Sequence, residues 1–201
     1  MKKNFFIFVF FVFTSVFLFQ TVGNTYSSDP RKFIEEVVLE AKKILVETNS
    51  KETKEKELSK IALKVADIKG IGFYTLGSYR KELSEEQLKE YERLFEKYFL
   101  KSFTSRLSDY SDPKIEVISA EVKNEKYTIV KSLLLATDKK PEVKIDWRVY
   151  TKNPDKPLIR DLIVEGLSLA RTQKEEFASV IQTNNGDVTK LFEALKEFIN
   201  K

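Results

Sequence analysis

The hydrophobic and polar positions follow a helical period over most of the first half of the chain. Asp29 and Pro30 have the residue types of an N-cap and of a first helical position. Apolar residues then recur at i, i+3 and i+4 spacing from Phe33 to Leu45, and a second stripe of this kind runs from Leu58 to Val65. We therefore predict two successive amphipathic helices.

A glycine-rich segment and a longer helix are predicted next. Residues 69–78 are interpreted as a short helix that packs closely at Gly77. Ser84 and Gln87 have the spacing of a capping box, which marks the start of a helix. The apolar residues that follow, from Leu88 to Leu107, form a wide and strongly aromatic face. This segment is predicted to be the longest helix of the chain.

The period changes from helical to alternating in the second half. Four strands are predicted, over residues 115–122, 127–137, 143–149 and 158–164. Their short connections favour an antiparallel meander, and two further helices, over 168–182 and 187–200, close the chain. Because helices and strands are segregated along the sequence, we predict an α+β fold in one domain, with a curved antiparallel sheet of about four strands packed by helices.

The first 23 residues differ from the rest of the chain. Lys2 and Lys3 precede an apolar run of about 15 residues, which suits the core of a signal peptide and is shorter than the ~20 residues of a membrane-spanning helix. Small residues at Thr21 and Gly23 fit cleavage after Gly23, and a retained N-terminal anchor is the competing interpretation. We predict a signal peptide over 1–23 and a mature domain over 24–201.

Composition and charge exclude several classes of function. Without Lys2 and Lys3 the chain keeps 33 basic and 31 acidic residues, a net charge of +2, so we expect no nucleic-acid partner. The chain contains neither Cys nor His, which excludes disulfide bonds, histidine-dependent catalytic triads and histidine zinc sites. We expect neither a metal nor a cofactor.

Two strand carboxylates, Asp146 and Asp161, are the candidate catalytic groups. An inward-facing carboxylate can act as a general base, which keeps an isomerase or dehydratase open as an alternative function. The simpler interpretation is that both side chains point outward and pair with Arg148 or Arg160. The discriminating observation is whether these carboxylates face a polar pocket.

Apolar residues are in surplus on the long helix and on the strand that contains Leu134. A large core would explain this surplus. A sheet curved over helices can also enclose an elongated cavity, and these side chains would suit an apolar ligand there. The candidate lining residues on this pattern are Phe95, Phe99, Phe103, Leu133, Leu135 and Trp147.

Four sequence elements follow one another in a characteristic order. They are D-x5-F-x2-LG-x-(W/Y)-R from Asp67 to Arg80, RL-x-x-Y from Arg106 to Tyr110, V-x-(V/I)-(D/Y)-(W/Y)-R from Val143 to Arg148, and D-(V/L)-x-VEG-(V/L)-S from Asp161 to Ser168. Their order and spacing resemble the MlaC family, also called the toluene-tolerance auxiliary proteins. The resemblance covers the mature chain from Asp29 to Phe198.

This resemblance implies an NTF2-like fold and a periplasmic phospholipid-binding protein that is not an enzyme. Such a protein is expected to be a monomer and to carry glycerophospholipid between an outer-membrane lipoprotein complex and an inner-membrane ABC transporter with an MCE-type subunit, which maintains outer-membrane lipid asymmetry. The candidate acyl-chain residues then also include Phe73, Leu76, Ile145 and Val164. Structural roles are expected for the motif residues Asp67, Gly77, Tyr79, Arg80, Arg106, Asp161, Glu165, Gly166 and Ser168.

Release of the lipid is expected to need contact with an acceptor. Each acyl CH₂ group gains about 0.8 kcal/mol on leaving water, so two buried chains would bind too tightly to leave unaided. We expect the cavity to widen on docking, with Gly70, Gly72 and Gly77 as points of movement. A membrane-tethered interaction protein remains a third interpretation if the apolar N-terminus is retained.

Overall fold

The helices of the first half begin at side-chain caps. The computed structural model describes residues 26–138 and 140–201, and the predicted signal peptide lies outside these residues. The first four helices are α1 (Pro30–Glu47), α2 (Lys51–Val65), α3 (Ile68–Leu76) and α4 (Glu85–Ser108). The Asp29 carboxylate accepts a hydrogen bond from the Lys32 N–H at 2.8 Å. Ser84 and Gln87 cap each other reciprocally, as predicted.

The glycine-rich segment forms a shorter helix than its pattern predicts. Gly77 ends α3 with a φ of +62°, and a 3₁₀ turn follows over Gly77–Lys81. A left-handed residue cannot continue a right-handed helix, and glycine adopts this conformation at the lowest cost. The predicted helix over 69–78 therefore starts one residue earlier and ends at Leu76.

The strands form one antiparallel meander. The strands are β1 (Ile115–Asn124), β2 (Tyr127–Leu134), β3 (Val143–Tyr150), β4 (Leu158–Val164) and β5 (Leu167–Ser168). Their order in the sheet is the order in the chain, and every neighbouring pair is antiparallel. The two-residue β5 was not predicted. It follows a turn at Glu165 and Gly166, whose φ angles of +50° and +82° suit a tight hairpin.

Irregular pairing bends the sheet at three places. Ile118 and Lys123 are extra residues in β1, and Arg160 is an extra residue in β4. Bulges of this kind increase the local twist of a sheet. The segment between α2 and α3 is hydrogen-bonded to β4 beside the third bulge. There the Asp67 N–H donates to the Ile159 carbonyl at 2.9 Å.

Two hydrophobic clusters hold the elements together. Helices α5 (Leu169–Thr183) and α6 (Val188–Asn200) pack with α3 and α4 into the first cluster. The second cluster joins α1 and α2 to the inner face of the sheet around Val130 and Trp147. This arrangement confirms the α+β class. No helix within residues 26–138 and 140–201 is both long and apolar enough to cross a membrane.

Candidate functional site

A cavity of about 600 Å³ separates α4 from the inner face of the sheet. Helices α1 and α2 form one side wall, and the first half of α5 forms the other. Its volume lies within the range of small-molecule sites. Its lining is mostly aliphatic and aromatic, so the cavity suits an apolar ligand or the apolar part of an amphiphile.

Helix α4 contributes an aromatic row to the cavity. Phe95, Phe99, Phe103 and Leu107 lie four residues apart, which places them along one edge of a helix. Phe99 and Phe103 stack with ring centroids 5.8 Å apart. The row runs from Phe95, which is 2% exposed and belongs to the helical core, to the half-buried C-terminal turns of α4.

The opposite wall is the inner row of β3, and its burial falls along the strand. Val149 is 0% exposed in the cluster that α1 forms with the sheet, and Trp147, 8% exposed, belongs to the same cluster and also lines the cavity. Ile145 and Val143 are only half-buried and line the cavity. The predicted alternation of β3 is thus correct, and the far end of the same row faces the cavity rather than a packed helix.

Six of the ten candidate acyl-chain residues line this cavity. They are Phe95, Phe99, Phe103, Ile145, Trp147 and Val164. The other four lie elsewhere. Leu76 is 1% exposed and packs inside the helical core, and Phe73 faces a small surface groove beside Lys69.

The placement of Leu133 and Leu135 follows from strand alternation. Leu134 lines the cavity, so Leu133, its neighbour on β2, belongs to the other face of the sheet. Leu135 lies just beyond β2, where its N–H donates to the Lys114 carbonyl at 2.8 Å. An apolar run on both faces of a strand does not show which of its members faces a cavity.

Sequence reasoning missed the side wall formed by α1 and α2. Its members come from the apolar stripes of the two predicted amphipathic helices: Val37, Val38, Ala41, Leu45, Leu58, Ile61, Ala62 and Val65. Two of these residues are alanines, whose small side chains leave room between a helix and the sheet. This was the available signal for a cavity on that side.

A polar row lies beside the aromatic row on α4. Tyr98, Ser102 and Arg106 are again four residues apart, and all three line the cavity. On the facing helix α5, Gln173 and Glu176 also line it. The Tyr98 hydroxyl donates to Gln173 Oε1 at 2.6 Å and so bridges the gap between the two helices. The edge of the cavity between α4 and α5 is therefore polar.

Burial and a nearby carboxylate raise the pKa of the Tyr98 hydroxyl. Burial raises its pKa, the Glu176 carboxylate adds to this effect, and the Arg106 guanidinium acts in the opposite direction. A neutral phenol remains a hydrogen-bond donor. The Glu176 carboxylate and the Arg106 guanidinium are therefore both close enough to the Tyr98 hydroxyl to change its pKa.

A second polar group in the wall, Arg160, is held by its neighbours. Its Nη2 lies 2.5 Å from Asp67 Oδ2, its Nη1 donates to the Tyr127 hydroxyl at 3.0 Å, and its guanidinium stacks 3.6 Å from the Tyr150 ring centroid. Burial opposes its charge, but the hydrogen bonds with Tyr127 and Asp67 outweigh it and raise its pKa. Asp67 also caps α3 by accepting from the Gly70 N–H. This group ties α3 to the sheet.

Asp161 is buried rather than exposed to bulk water, contrary to the simpler sequence interpretation. It is 4% exposed and lies in the cavity wall, where it accepts hydrogen bonds from Ser168 Oγ at 2.6 Å and the Ala170 N–H at 3.0 Å. Arg148 Nη1 lies 3.4 Å away, so the predicted pairing with Arg148 is correct. These contacts make Asp161 an anchor for the start of α5.

Asp146 lies on the side of the sheet away from the cavity. It pairs in register with Lys131 and Ile163, one residue from the inward-facing Ile145 and Trp147. Arg160, the other predicted cationic partner, pairs with Asp67 instead. Neither strand carboxylate has the free, pocket-facing oxygen that a general base needs.

The remaining motif residues lie at turns and caps. Ser168 is the N-cap of α5, and Glu165 accepts from the Lys144 N–H at 2.5 Å within the turn that it forms with Gly166. Tyr79 packs against the helical core, and Arg80 is exposed in the 3₁₀ turn. Within the described residues, no cluster of three or more His, Cys, Asp and Glu side chains is arranged to hold a metal ion.

Comparisons with known proteins agree with this architecture. A search of the curated proteins gave no match. Among solved structures, the phospholipid-binding protein from Ralstonia solanacearum in complex with a phospholipid superimposes with a TM-score of 0.71 and 18% identity, over 83% of this chain and 94% of that chain. At this identity the likeness is one of fold. The family model of the MlaC protein matches residues 35–197. The chain therefore belongs to the MlaC family.

Proposed function

We propose that this protein is a periplasmic phospholipid carrier that moves glycerophospholipid between outer-membrane and inner-membrane components of an Mla-type ABC transport system. One observation carries the proposal: the cavity is apolar along its length and polar along the edge between α4 and α5. A diacyl phospholipid has the same division, with acyl chains for the apolar walls and a head group for the polar edge. The cavity needs no catalytic group for this function.

The likeness to a lipid-bound protein supports the proposal. The Ralstonia solanacearum structure holds a phospholipid, and the alignment spans 94% of that chain. Membership of the MlaC family supports a periplasmic location and a carrier role. A carrier has to leave the membrane, so this function requires removal of the apolar N-terminus near Gly23.

Hydrophobic transfer supplies the affinity in this mechanism. Each CH₂ group that enters the cavity gains about 0.8 kcal/mol, so the number of buried chain carbons dominates binding. Release then depends on an acceptor, for which we propose the MCE-type subunit of the transporter, with the outer-membrane lipoprotein complex at the other end of the route. The carrier acts as a monomer in this scheme.

The only tryptophan of the chain, Trp147, gives a direct test because it lines the cavity. A phospholipid with brominated acyl chains should quench Trp147 fluorescence when it binds. Organic extraction and mass spectrometry of the purified protein should recover phospholipid in near-stoichiometric amount. Absence of both signals would contradict lipid binding.

A matched pair of variants on α1 separates the cavity from the protein surface. Ala41 lines the cavity, whereas Leu39 on the same helix is 69% exposed and does not. Ala41→Phe should fill the cavity and reduce the extracted phospholipid severalfold, and Leu39→Phe should leave it unchanged. Equal lipid content in the two variants, with circular dichroism confirming that both are folded, would show that lipid binds elsewhere.

A further inference from the structure

Among the described residues, three cations lie in the wall of the cavity, and they differ in their ion pairs. Lys42 lies 3.2 Å from Asp112, and Arg160 lies 2.5 Å from Asp67. Arg106 forms no ion pair with any residue in the described ranges. Its guanidinium is therefore the one cation of the described wall whose charge is not neutralised by a carboxylate in contact.

The groups around Arg106 suit an anion with polar substituents. Arg106 ends the polar row of α4, after Tyr98 and Ser102, which supply hydroxyl groups. The facing carboxylate on α5 is Glu176, which accepts from Gln173 Nε2 at 2.9 Å. Glu176 and Arg106 both act on the Tyr98 hydroxyl, with opposite effects on its pKa after the larger effect of burial.

The length of α4 relates Arg106 to the apolar row. Eleven residues separate Phe95 from Arg106 on α4, a distance of about 16 Å at 1.5 Å per residue. The hydrocarbon of one bilayer leaflet is about 15 Å thick, half of the whole core. An acyl chain that reaches the buried end of the cavity at Phe95 would thus bring its head group to the level of Arg106.

We propose that Arg106 is the phosphate-binding residue of this cavity, and that its guanidinium holds the phosphodiester of a bound diacyl phospholipid at the gap between α4 and α5. The inference rests on the proposed function. Arginine presents a planar fork that binds phosphate with two parallel hydrogen bonds. The acyl chains then run along the aromatic row toward Phe95, and Ser102 lies within reach of the glycerol region.

This role makes Arg106 selective for phosphate rather than for acyl chains. Removal of its charge should weaken binding of a phospholipid by about tenfold, the loss expected for a charge-assisted hydrogen bond. Binding of a diacylglycerol with the same chains should not change, because this lipid has no phosphate. Arg106→Lys should recover part of the affinity, since it keeps the charge but loses the fork.

The experiment measures quenching of Trp147 by brominated phosphatidylglycerol and by brominated diacylglycerol, for the wild type, Arg106→Gln and Arg93→Gln. Arg93 is the matched control, because it is exposed on the same helix, as Arg106 is, but does not line the cavity. We expect the affinity for phosphatidylglycerol to fall about tenfold in Arg106→Gln and to stay unchanged in Arg93→Gln. Soluble glycerophosphoglycerol, added as a competitor, should not displace the lipid.

The outcomes separate the two proposals. If the wild type binds both lipids and Arg106→Gln weakens both equally or neither, Arg106 is not a phosphate site. Displacement of the lipid by soluble glycerophosphoglycerol at comparable concentration would show a site for free phosphodiesters and overturn the lipid head-group role. If the wild type binds neither lipid, the proposed carrier function itself is wrong.

Discussion

The helical half and the sheet half of the molecule bury their apolar residues in different ways. In the helical half, Tyr91, Ile181 and Leu191 are at most 1% exposed, and the apolar faces of α3, α4, α5 and α6 pack against one another. In the sheet half, the inner row of β3 is packed at Val149 and opens onto a cavity at Val143. The comparison teaches that one domain can draw its stability from one region and keep another region available for a ligand.

The largest effect should come from the helical half. Phe192 on α6 is 4% exposed, and its ring centroid lies 6.0 Å from that of Tyr91. Phe192→Ala leaves a void in a rigid core, so we expect a loss of about 3–5 kcal/mol in the free energy of unfolding, measured with urea. Phe198, on the same helix but 38% exposed, is the control. An equal loss in Phe198→Ala would remove the contrast between core and surface.

A smaller but substantial loss is expected within the helical half, where α3 packs against α4. A Cβ added at Gly72 would lie 2.7 Å from Phe95 Cδ1, so Gly72→Ala forces α3 away from α4. Overpacking of this kind costs about 1–3 kcal/mol, which urea unfolding should detect. An unchanged unfolding midpoint would mean that the two helices separate freely.

That prediction bears on the expected points of movement. Gly72 allows the close approach of Phe95, and a Cβ at Gly70 would lie 2.3 Å from Asp67 Oδ2. Gly77 has a positive φ. Packing or backbone conformation thus requires glycine at each of these positions. An alanine substitution would disturb the folded structure as well as any hinge motion, so it would not test the hinge motion by itself.

Within the sheet half, a buried hydrogen bond should matter more than a cavity side chain. Ser132 Oγ accepts from Trp147 Nε1 at 2.9 Å, and Ser132 is 2% exposed. Ser132→Ala leaves the indole N–H without a partner, so we expect a loss of about 1–2 kcal/mol. A shift in the emission of the sole tryptophan should accompany it. Unchanged emission would indicate that Trp147 finds another acceptor.

The smallest effect on stability is expected in the cavity wall. Phe103 is half-buried, lines the cavity and stacks on the ring of Phe99. Phe103→Ala should cost about 1 kcal/mol in unfolding, since little apolar area leaves its packed environment. Its larger effect should be a weaker affinity for brominated phospholipid. A loss as large as that of Phe192→Ala would mean that the cavity wall is part of the rigid core.

The sequence predicted the elements well because local chemistry sets them. Asp29, Ser84 and Ser168 cap helices directly, and the alternation of β3 places Trp147 on the inner face. It predicted the extent of the cavity less well. Periodicity identifies which face of a helix or strand is apolar, but not how far away the facing element lies, so Leu76 in the core and Ala41 in the wall have the same pattern.

The polar edge of the cavity could not be predicted from the sequence for a similar reason. Tyr98 and Arg106 lie on the long helix, whose pattern was interpreted from its apolar residues. Gln173 lies 67 residues after Arg106 in the chain. Only the packing of α4 beside α5 brings these side chains to one gap. The position of Asp161 likewise depends on the start of α5, which its own strand does not reveal.

The irregular edge strand of the sheet affects the tendency of the protein to self-associate. β1 is an outer strand, and it carries the exposed side chains Ile118 and Val122. An unbroken edge with such residues would template the addition of further strands. The extra residues at Ile118 and Lys123 divide its ladder into short segments, and Arg31 Nη2 donates to the Val117 carbonyl at 3.3 Å beside the first of them. The edge is therefore a poor template for the addition of further strands.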